Sequence, residues 1–455
     1  MKFRALKRPV LEMSQLKNWN YLAILVFWIF GIKTILQTKV AVFPDSGGYL
    51  VGKSSTSWGI LSFTGESSRA WPTLLFYSFT DSLNSKVFLQ TLLYLGAVTF
   101  FLLVTVAKKR DTKSLISTGL ICMLFLSNNT FQWNASILAE STTMSFTLIG
   151  LSFYFLSLIR KDNWAFPLIA GTCFFTLASL VRAQLLIPMI LIVLALAIIK
   201  KKLAFSTLGF VTTVLAFSYV SIVNANINET WGTGSSQTTR NAVNYYFLTA
   251  TETKNDSLTT RVFENLPSAA PACLKTQDSR APFVSVPGPY VFQSEQHLRC
   301  ASGVQWVNEN FFSFYSKFLL KNPIHIFESS RSYLPESISA VKYADVKGPI
   351  PIWIEAFWKT GSNGVIDTTP FYIWIFLPIL RIVSQVGKGV DMRLFTLSTM
   401  WIGMLISLMV TYLFMNAEPS RIAASSVYPL IATALLIMFY DTEKKVMKQS
   451  AKKRR

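Results

Sequence analysis

Ten runs of apolar residues, each close to the length that crosses a bilayer, recur along this chain at 21–36, 86–107, 115–130, 141–159, 165–181, 184–199, 206–224, 371–386, 394–415 and 423–440. A hydrocarbon layer about 30 Å thick takes roughly 20 residues of α-helix. Backbone inside lipid must satisfy its own hydrogen bonds, and runs of this length without period-two alternation do so as helices. Composition agrees: 51% of the 455 residues are hydrophobic, only 15% are charged, and the mean hydropathy is +0.40. An ordinary soluble domain is excluded. The expected fold class is therefore an all-α integral membrane protein of about ten transmembrane helices with one larger extracytoplasmic domain.

The formal charge of +20 would suggest nucleic acid if it were spread over a soluble surface, but the basic residues sit in short clusters between apolar runs. Lys108, Lys109, Arg110 and Lys113 form one cluster, Arg160 and Lys161 the next, then Lys200 to Lys202, then Lys388 and Arg393, then the tail from Lys444 to Arg455. Lys and Arg near span ends are retained on the cytoplasmic side, and these clusters fall in alternate loops. Both termini are thus expected in the cytoplasm, in a multi-pass protein of the plasma (inner) membrane. The first run follows a basic stretch but has no small-residue cleavage site, so it is expected to stay as a span.

Three regions follow: an N-terminal membrane region, 1–224, with about seven spans and a functional first outer loop at 37–85; an extracytoplasmic domain, 225–370; and a C-terminal membrane region, 371–455, with about three spans and a basic tail. The outer segment carries Trp306, Phe311, Phe312, Phe314 and Tyr315, which predicts a small folded unit with amphipathic helices at 305–320 and 323–341 and an irregular Pro-rich stretch at 265–290. Cys273 and Cys300 lie in it, and an oxidising compartment would allow them to pair. Cys122 and Cys173 lie inside spans, as expected of small packing residues.

Ionisable residues at the membrane edge are costly and invite a functional reading. Asp45 sits in Val42-Phe43-Pro44-Asp45-Ser46-Gly47-Gly48-Tyr49, where the proline and paired glycines permit a sharp turn and close ligand approach. Its carboxylate suits a general base towards a hydroxyl, and equally the capping of a following helix. Glu140 opens the fourth run, where the helix dipole favours an acid. Arg182, between the fifth and sixth runs, and Arg421, in Glu418-Pro419-Ser420-Arg421 before the last, stand on the outer side against the positive-inside bias. Guanidinium groups there suit phosphate binding, and snorkelling to lipid headgroups explains either one singly.

Together these residues resemble the polytopic glycosyltransferases of the GT-C superfamily, especially the bacterial branch of protein mannosyltransferase-like and lipid A aminoarabinose transferase-like proteins. Phe43-Pro44-Asp45-Ser46-Gly47-Gly48-Tyr49 is similar to the family's first-loop acidic motif, and Ala70-Trp71-Pro72-Thr73-Leu74-Leu75 to the close of that loop. Leu138-Ala139-Glu140-Ser141 is similar to its second acidic motif, and Leu180-Val181-Arg182-Ala183-Gln184 to its Arg-containing turn. The resemblance implies transfer of a sugar from a polyprenyl-phosphate donor to a glycan, lipid or protein acceptor on the outer face, with inversion. Asp45 and Glu140 would be catalytic, and Tyr49, Arg182 and Arg421 would bind substrate. Ser46 stands where several members carry a second acid, so no cofactor and no metal are expected.

His297 and His325 are too far apart in sequence for a metal pair and are expected at a surface or interface. Trp231-Gly232-Thr233-Gly234-Ser235-Ser236 lacks the lysine of a phosphate-binding loop. An envelope polysaccharide polymerase or ligase would share the spans, the large outer loop and the outer arginines, and the early Asp45 loop favours the transferase. A transporter would be expected to show internal repeats and broken helices at mid-membrane.

Overall fold

The computed structural model describes residues 13–43, 46, 71–106, 111–160, 162–200, 203–230, 256–275, 289–338, 346, 348, 350, 369–385, 391–414 and 419–439. In chain order the helices are α1 (Met13–Gln37), α2 (Trp71–Ser78), α3 (Leu83–Thr105), α4 (Thr112–Leu126), the single turn α5 (Asn128–Phe131), α6 (Glu140–Ile159), α7 (Ala165–Val181), α8 (Leu186–Lys200) and α9 (Leu203–Thr230). Then come α10 (Asp256–Glu264), α11 (Pro289–Lys321), α12 (Pro323–Ile338), α13 (Thr369–Val383), α14 (Met392–Phe414) and α15 (Pro419–Phe439). Each of the ten apolar runs is helical. Among the described residues five helices, Trp19–Gln37, Leu83–Thr105, Glu140–Ile159, Leu203–Val223 and Met392–Thr411, are long and apolar enough to cross a membrane, and the other five runs form shorter apolar helices. The chain is a multi-pass membrane protein built of helices.

At the centre of the bundle stands α6, in contact with α3, α7, α14 and α15. It is rich in hydroxyls, which lipid would not solvate, and they bond within the helix: Ser145 Oγ to the Ser141 carbonyl (2.8 Å), Thr147 Oγ1 to Thr143 (2.9 Å), Ser152 Oγ to Leu148 (2.7 Å). Small residues bring the helix axes together, the usual device where lipid supplies no hydrophobic drive between helices. A Cβ at Gly150 would lie 2.6 Å from the Phe175 ring of α7, and one at Gly403 of α14 would lie 2.9 Å from the Pro188 backbone of α8. Polar ties add to this. Trp28 Nε1 donates to Thr99 Oγ1 at 2.8 Å and Asn20 Nδ2 to Ser114 Oγ at 3.0 Å, joining α1 to α3 and α4.

The run expected to span 115–130 ends as a helix at Leu126. Ser127 is extended (φ −61°, ψ 147°), and Asn128–Phe131 form a separate turn. Competition from Ser and Asn side chains for backbone partners is the physical reason. Asn134, which heads an N-glycosylation sequence, is fully buried and accepts a 2.6 Å bond from Ser141 Oγ.

The segment between α9 and α13 builds a second core, in which Val262, Phe263 and Leu274 meet Val307, Phe311 and Phe318, with Leu413 of α14 at its edge. The two helices expected here appear as α11 and α12, with α11 extending further towards the N-terminus than the expected 305–320. Asn322 N closes α11 on Phe318 O at 2.9 Å, and Pro323 then starts α12 without loss of a bond, because a first-turn N–H has no helical partner. This lobe rests on the bundle through α12, which packs on α14 and α15, and through the Tyr315 hydroxyl, which donates to Leu413 O at 3.1 Å. Further on, Gly348 N donates to Asn128 Oδ1 at 2.7 Å, so the chain after α12 returns to the α5 turn.

Cys273 is disulfide-bonded, while the Cys300 side chain lies outside the described residues. Cys122 is a buried thiol as expected, but Cys173 is exposed on α7. His325, expected at a surface or interface, is 1% exposed and packs edge-on against Phe318 at 5.0 Å. The His297 side chain, the cluster Lys108 to Arg110 and the basic tail lie outside the described residues.

Candidate active site

Antiparallel neighbours joined by a short connection return to the same level, and α6 and α7 do so across residues 160–164. The first residue of α6, Glu140, therefore meets the residue just past α7, Arg182. Arg182 Nη2 donates to Glu140 Oε1 in an ion pair whose acid is 1% exposed and whose base is 15% exposed. The carboxylate is the more buried half of the pair and the guanidinium the more accessible one.

Arg182 leaves the helix with its own N–H still bonded to Ala178 O (2.9 Å) and its carbonyl accepting from Leu185 N (3.0 Å). That tight 3₁₀ turn, Ala183–Leu185, fixes the direction of the side chain. Gln184 within it is buried, and neither of its amide atoms has a hydrogen-bond partner among the described residues.

The segment 132–139 that delivers Glu140 is clamped from below by one buried amide. Gln90 Nε2 of α3 donates to Asn134 O at 2.5 Å and Ser136 O at 2.9 Å. Gln90 Oε1 lies 2.6 Å from the Tyr77 hydroxyl, which is also 2.8 Å from Leu138 O, so one phenolic proton is shared between two acceptors. Lys86, buried at the start of α3, donates to Tyr77 O and Thr80 O, placing a cation at the end of α2 where the helix dipole favours it.

From the other side comes the chain after α1. Ala41 bridges to Ser136, with Ala41 N donating to Ala135 O (2.9 Å) and Ile137 N to Ala41 O (3.0 Å). Ser46 Oγ donates to Ile137 O at 2.8 Å and accepts from Phe43 N at 2.9 Å, while Ser46 N donates to Phe43 O at 2.9 Å.

Of the five residues singled out in the sequence, Glu140 and Arg182 are brought into contact. Asp45 and Tyr49 lie outside the described residues, and Asp45 is the immediate chain neighbour of the anchored Ser46. Arg421 belongs to the first turn of α15, a neighbour of α6, and its side chain is outside the described residues. Sequence reasoning passed over Gln90, Tyr77 and Lys86. Their signal was a lone amide and a lone cation at the head of an apolar run, which reads as a span boundary.

No family model and no curated protein matches this sequence. Among solved structures the chain bears a likeness to the oligosaccharyltransferase AglB from Archaeoglobus fulgidus in complex with an inhibitory peptide and a dolichol-phosphate, at 11% identity and a TM-score of 0.43, over 91% of this chain and 50% of that one. A second likeness is to ArnT from Cupriavidus metallidurans bound to undecaprenyl phosphate, at 11% identity and a TM-score of 0.34, over 93% of this chain and 77% of that one. This chain spans about half the length of AglB.

Proposed function

We propose that this chain is a membrane glycosyltransferase of the GT-C kind, which moves a sugar from a polyprenyl-phosphate donor to a glycan, lipid or protein acceptor at the outer face of the plasma membrane. The observation that carries the reading is the Arg182–Glu140 pair at the outer ends of α6 and α7, with the chain next to Asp45 tied to Ile137 three residues before the acid.

In this reading all ten apolar helices cross, the termini are cytoplasmic, and 225–370 forms the outer domain. The donor's isoprenoid lies among the helices and its phosphate meets Arg182, with Arg421 as a second cation. Glu140 acts as a positioning residue: it fixes one edge of the guanidinium and leaves the other N–H groups for phosphate oxygens. Asp45 accepts the proton of the acceptor hydroxyl as that oxygen attacks the anomeric carbon. The bond from that carbon to the phosphate oxygen breaks, and the arginines stabilise the charge gathering on the leaving phosphate. A single displacement inverts the carbon. Tyr49 borders the sugar, and the chemistry calls on no cofactor.

The test is transfer from a radiolabelled polyprenyl-phosphate sugar pool in membranes carrying wild type or Asp45→Asn. Transfer should fall by about a hundredfold or more in the variant, within the range a positioned base supplies. Undiminished transfer removes Asp45 as the base.

A further inference from the structure

The outer lobe holds a groove of about 440 Å³ that the transfer site does not use, bounded by one face of α11 and the turn after α10. Its floor is a stripe on α11: Trp306, Asn310, Phe314, Lys317 and Lys321 follow one another at three- and four-residue steps, which puts them on one side of a helix. At 1.5 Å per residue the stripe runs for about 22 Å.

The chemistry changes along it. At one end the rings of Trp306 and Phe314 stand 6.0 Å apart at 60° to each other, two apolar faces of the sort that C–H-rich sugar faces cover. Beside them the amides of Asn310 and Asn265 are held in place, each Nδ2 bonded to a carbonyl one turn back, Trp306 O at 3.2 Å and Arg261 O at 2.8 Å. At the other end stand two exposed ammonium groups. Among the described lining side chains there is no carboxylate. The neighbouring Glu309 accepts from Gln305 Nε2 at 3.0 Å instead.

Flat apolar faces, fixed amides and unopposed cations in a groove of ligand-binding size specify a polar, ring-bearing and negatively charged ligand. We infer that this groove binds an anionic saccharide, with sugar rings against Trp306 and acidic groups on Lys317 and Lys321. The ligand's role as the acceptor rests on the sugar-transfer reading; its binding does not. The lysine end of α11 leads into α12, which packs on α14 and α15, so an acceptor lying in the groove is directed towards the bundle.

The experiment uses the full chain in phosphatidylcholine nanodiscs, titrated with a galacturonic acid pentasaccharide and, separately, with neutral maltopentaose. The acidic sugar should bind saturably, and Lys317→Gln with Lys321→Gln should weaken it by about tenfold or more, the worth of two charge-assisted contacts. Both lysines are exposed, so an unchanged melting temperature checks that the fold is intact. Arg182→Gln should leave this binding untouched. Equal binding of the acidic and neutral sugars, no loss in the double variant, or no binding at all would overturn the inference. So would phosphatidylglycerol nanodiscs engaging the lysines while the pentasaccharide does not, which would make the groove a lipid-headgroup site. A chain that binds the pentasaccharide through its lysines yet transfers no sugar would keep the groove and sink the transfer reading.

Discussion

The side-chain amide of Gln90 lies 2.5 Å from the carbonyl oxygen of Asn134, across the boundary between an apolar helix and the turn that leads to Glu140. Polar groups in a membrane interior are held there only when every bond is met. Gln90 makes four, the longest to Trp133 O at 3.4 Å, and so converts a stretch of irregular backbone into a fixed platform.

Gln90→Leu should therefore cost more than its size suggests. The Asn134 carbonyl, and more weakly that of Trp133, lose the amide, while Ser136 O keeps the Leu138 N–H, and a buried group left unsatisfied costs about 1–3 kcal/mol. Tyr77→Phe removes a single shared proton and should cost nearer 1 kcal/mol. Thermal unfolding in detergent, run beside the transfer assay, should rank Gln90→Leu well below Tyr77→Phe on both counts. Equal ranking would mean that the platform does not depend on the amide.

The ion pair predicts an asymmetry. Arg182→Ala takes a cation from a carboxylate that is 1% exposed, whereas Glu140→Gln takes the charge partner from a guanidinium that is 15% exposed and can turn to water or a headgroup. Breaking a buried pair from one side costs up to about 3–5 kcal/mol, and the larger share of that penalty belongs to Arg182→Ala. Melting temperatures of the two variants should separate accordingly, and Glu140→Gln should still fold while transferring more slowly. A Glu140→Gln protein less stable than Arg182→Ala would reverse the assignment of buried and exposed halves.

Gly403→Ala tests the packing of α14 on α8. The added methyl would meet Pro188 backbone at 2.9 Å, and backbone moves less readily than a side-chain tip. Overpacking of this kind costs about 1–3 kcal/mol. At Gly96 a new Cβ would meet nothing within 4 Å, so Gly96→Ala should be neutral or slightly stabilising. The measurement is the paired melting temperature.

The lobe formed by α10 to α12 should weaken in acid. Burial holds the His325 imidazole below its usual value of 6.5, Arg261 adds to that, and Glu328 opposes it. A depressed histidine is neutral in the fold, so its contribution is complete above about pH 6.5 and fades as pH falls below, where the unfolded chain takes up the proton first. Unfolding of wild type against His325→Gln between pH 8 and 5 should show the wild type losing stability more steeply. Parallel curves would remove His325 as the cause.

The helices were readable in the sequence because lipid leaves so few options: an apolar run of that length has one way to satisfy its backbone. Even so, the run at 115–130 hid a break at Ser127, since a hydropathy window does not see which side chains compete for backbone bonds. Glu140 and Arg182 were visible singly, as charges in costly places. Their pairing was not, because it depends on two helices returning to one level across a loop whose geometry no local pattern encodes. His325 shows the opposite failure, a polar residue in an ordinary amphipathic stretch that the fold closes over. Asp45 and Tyr49 rest on sequence alone.

The outer leaflet is crowded with phosphodiesters, any of which an unshielded arginine would attract. Because Arg182 already has a carboxylate at its back, the local field it offers to a passing phospholipid is muted, and a bound phosphate must gain its hold from shape and from further contacts. On the proposed reading, a rare isoprenoid substrate competes on those terms with a vast excess of bulk lipid, and a neutralised guanidinium discriminates between them better than a bare one.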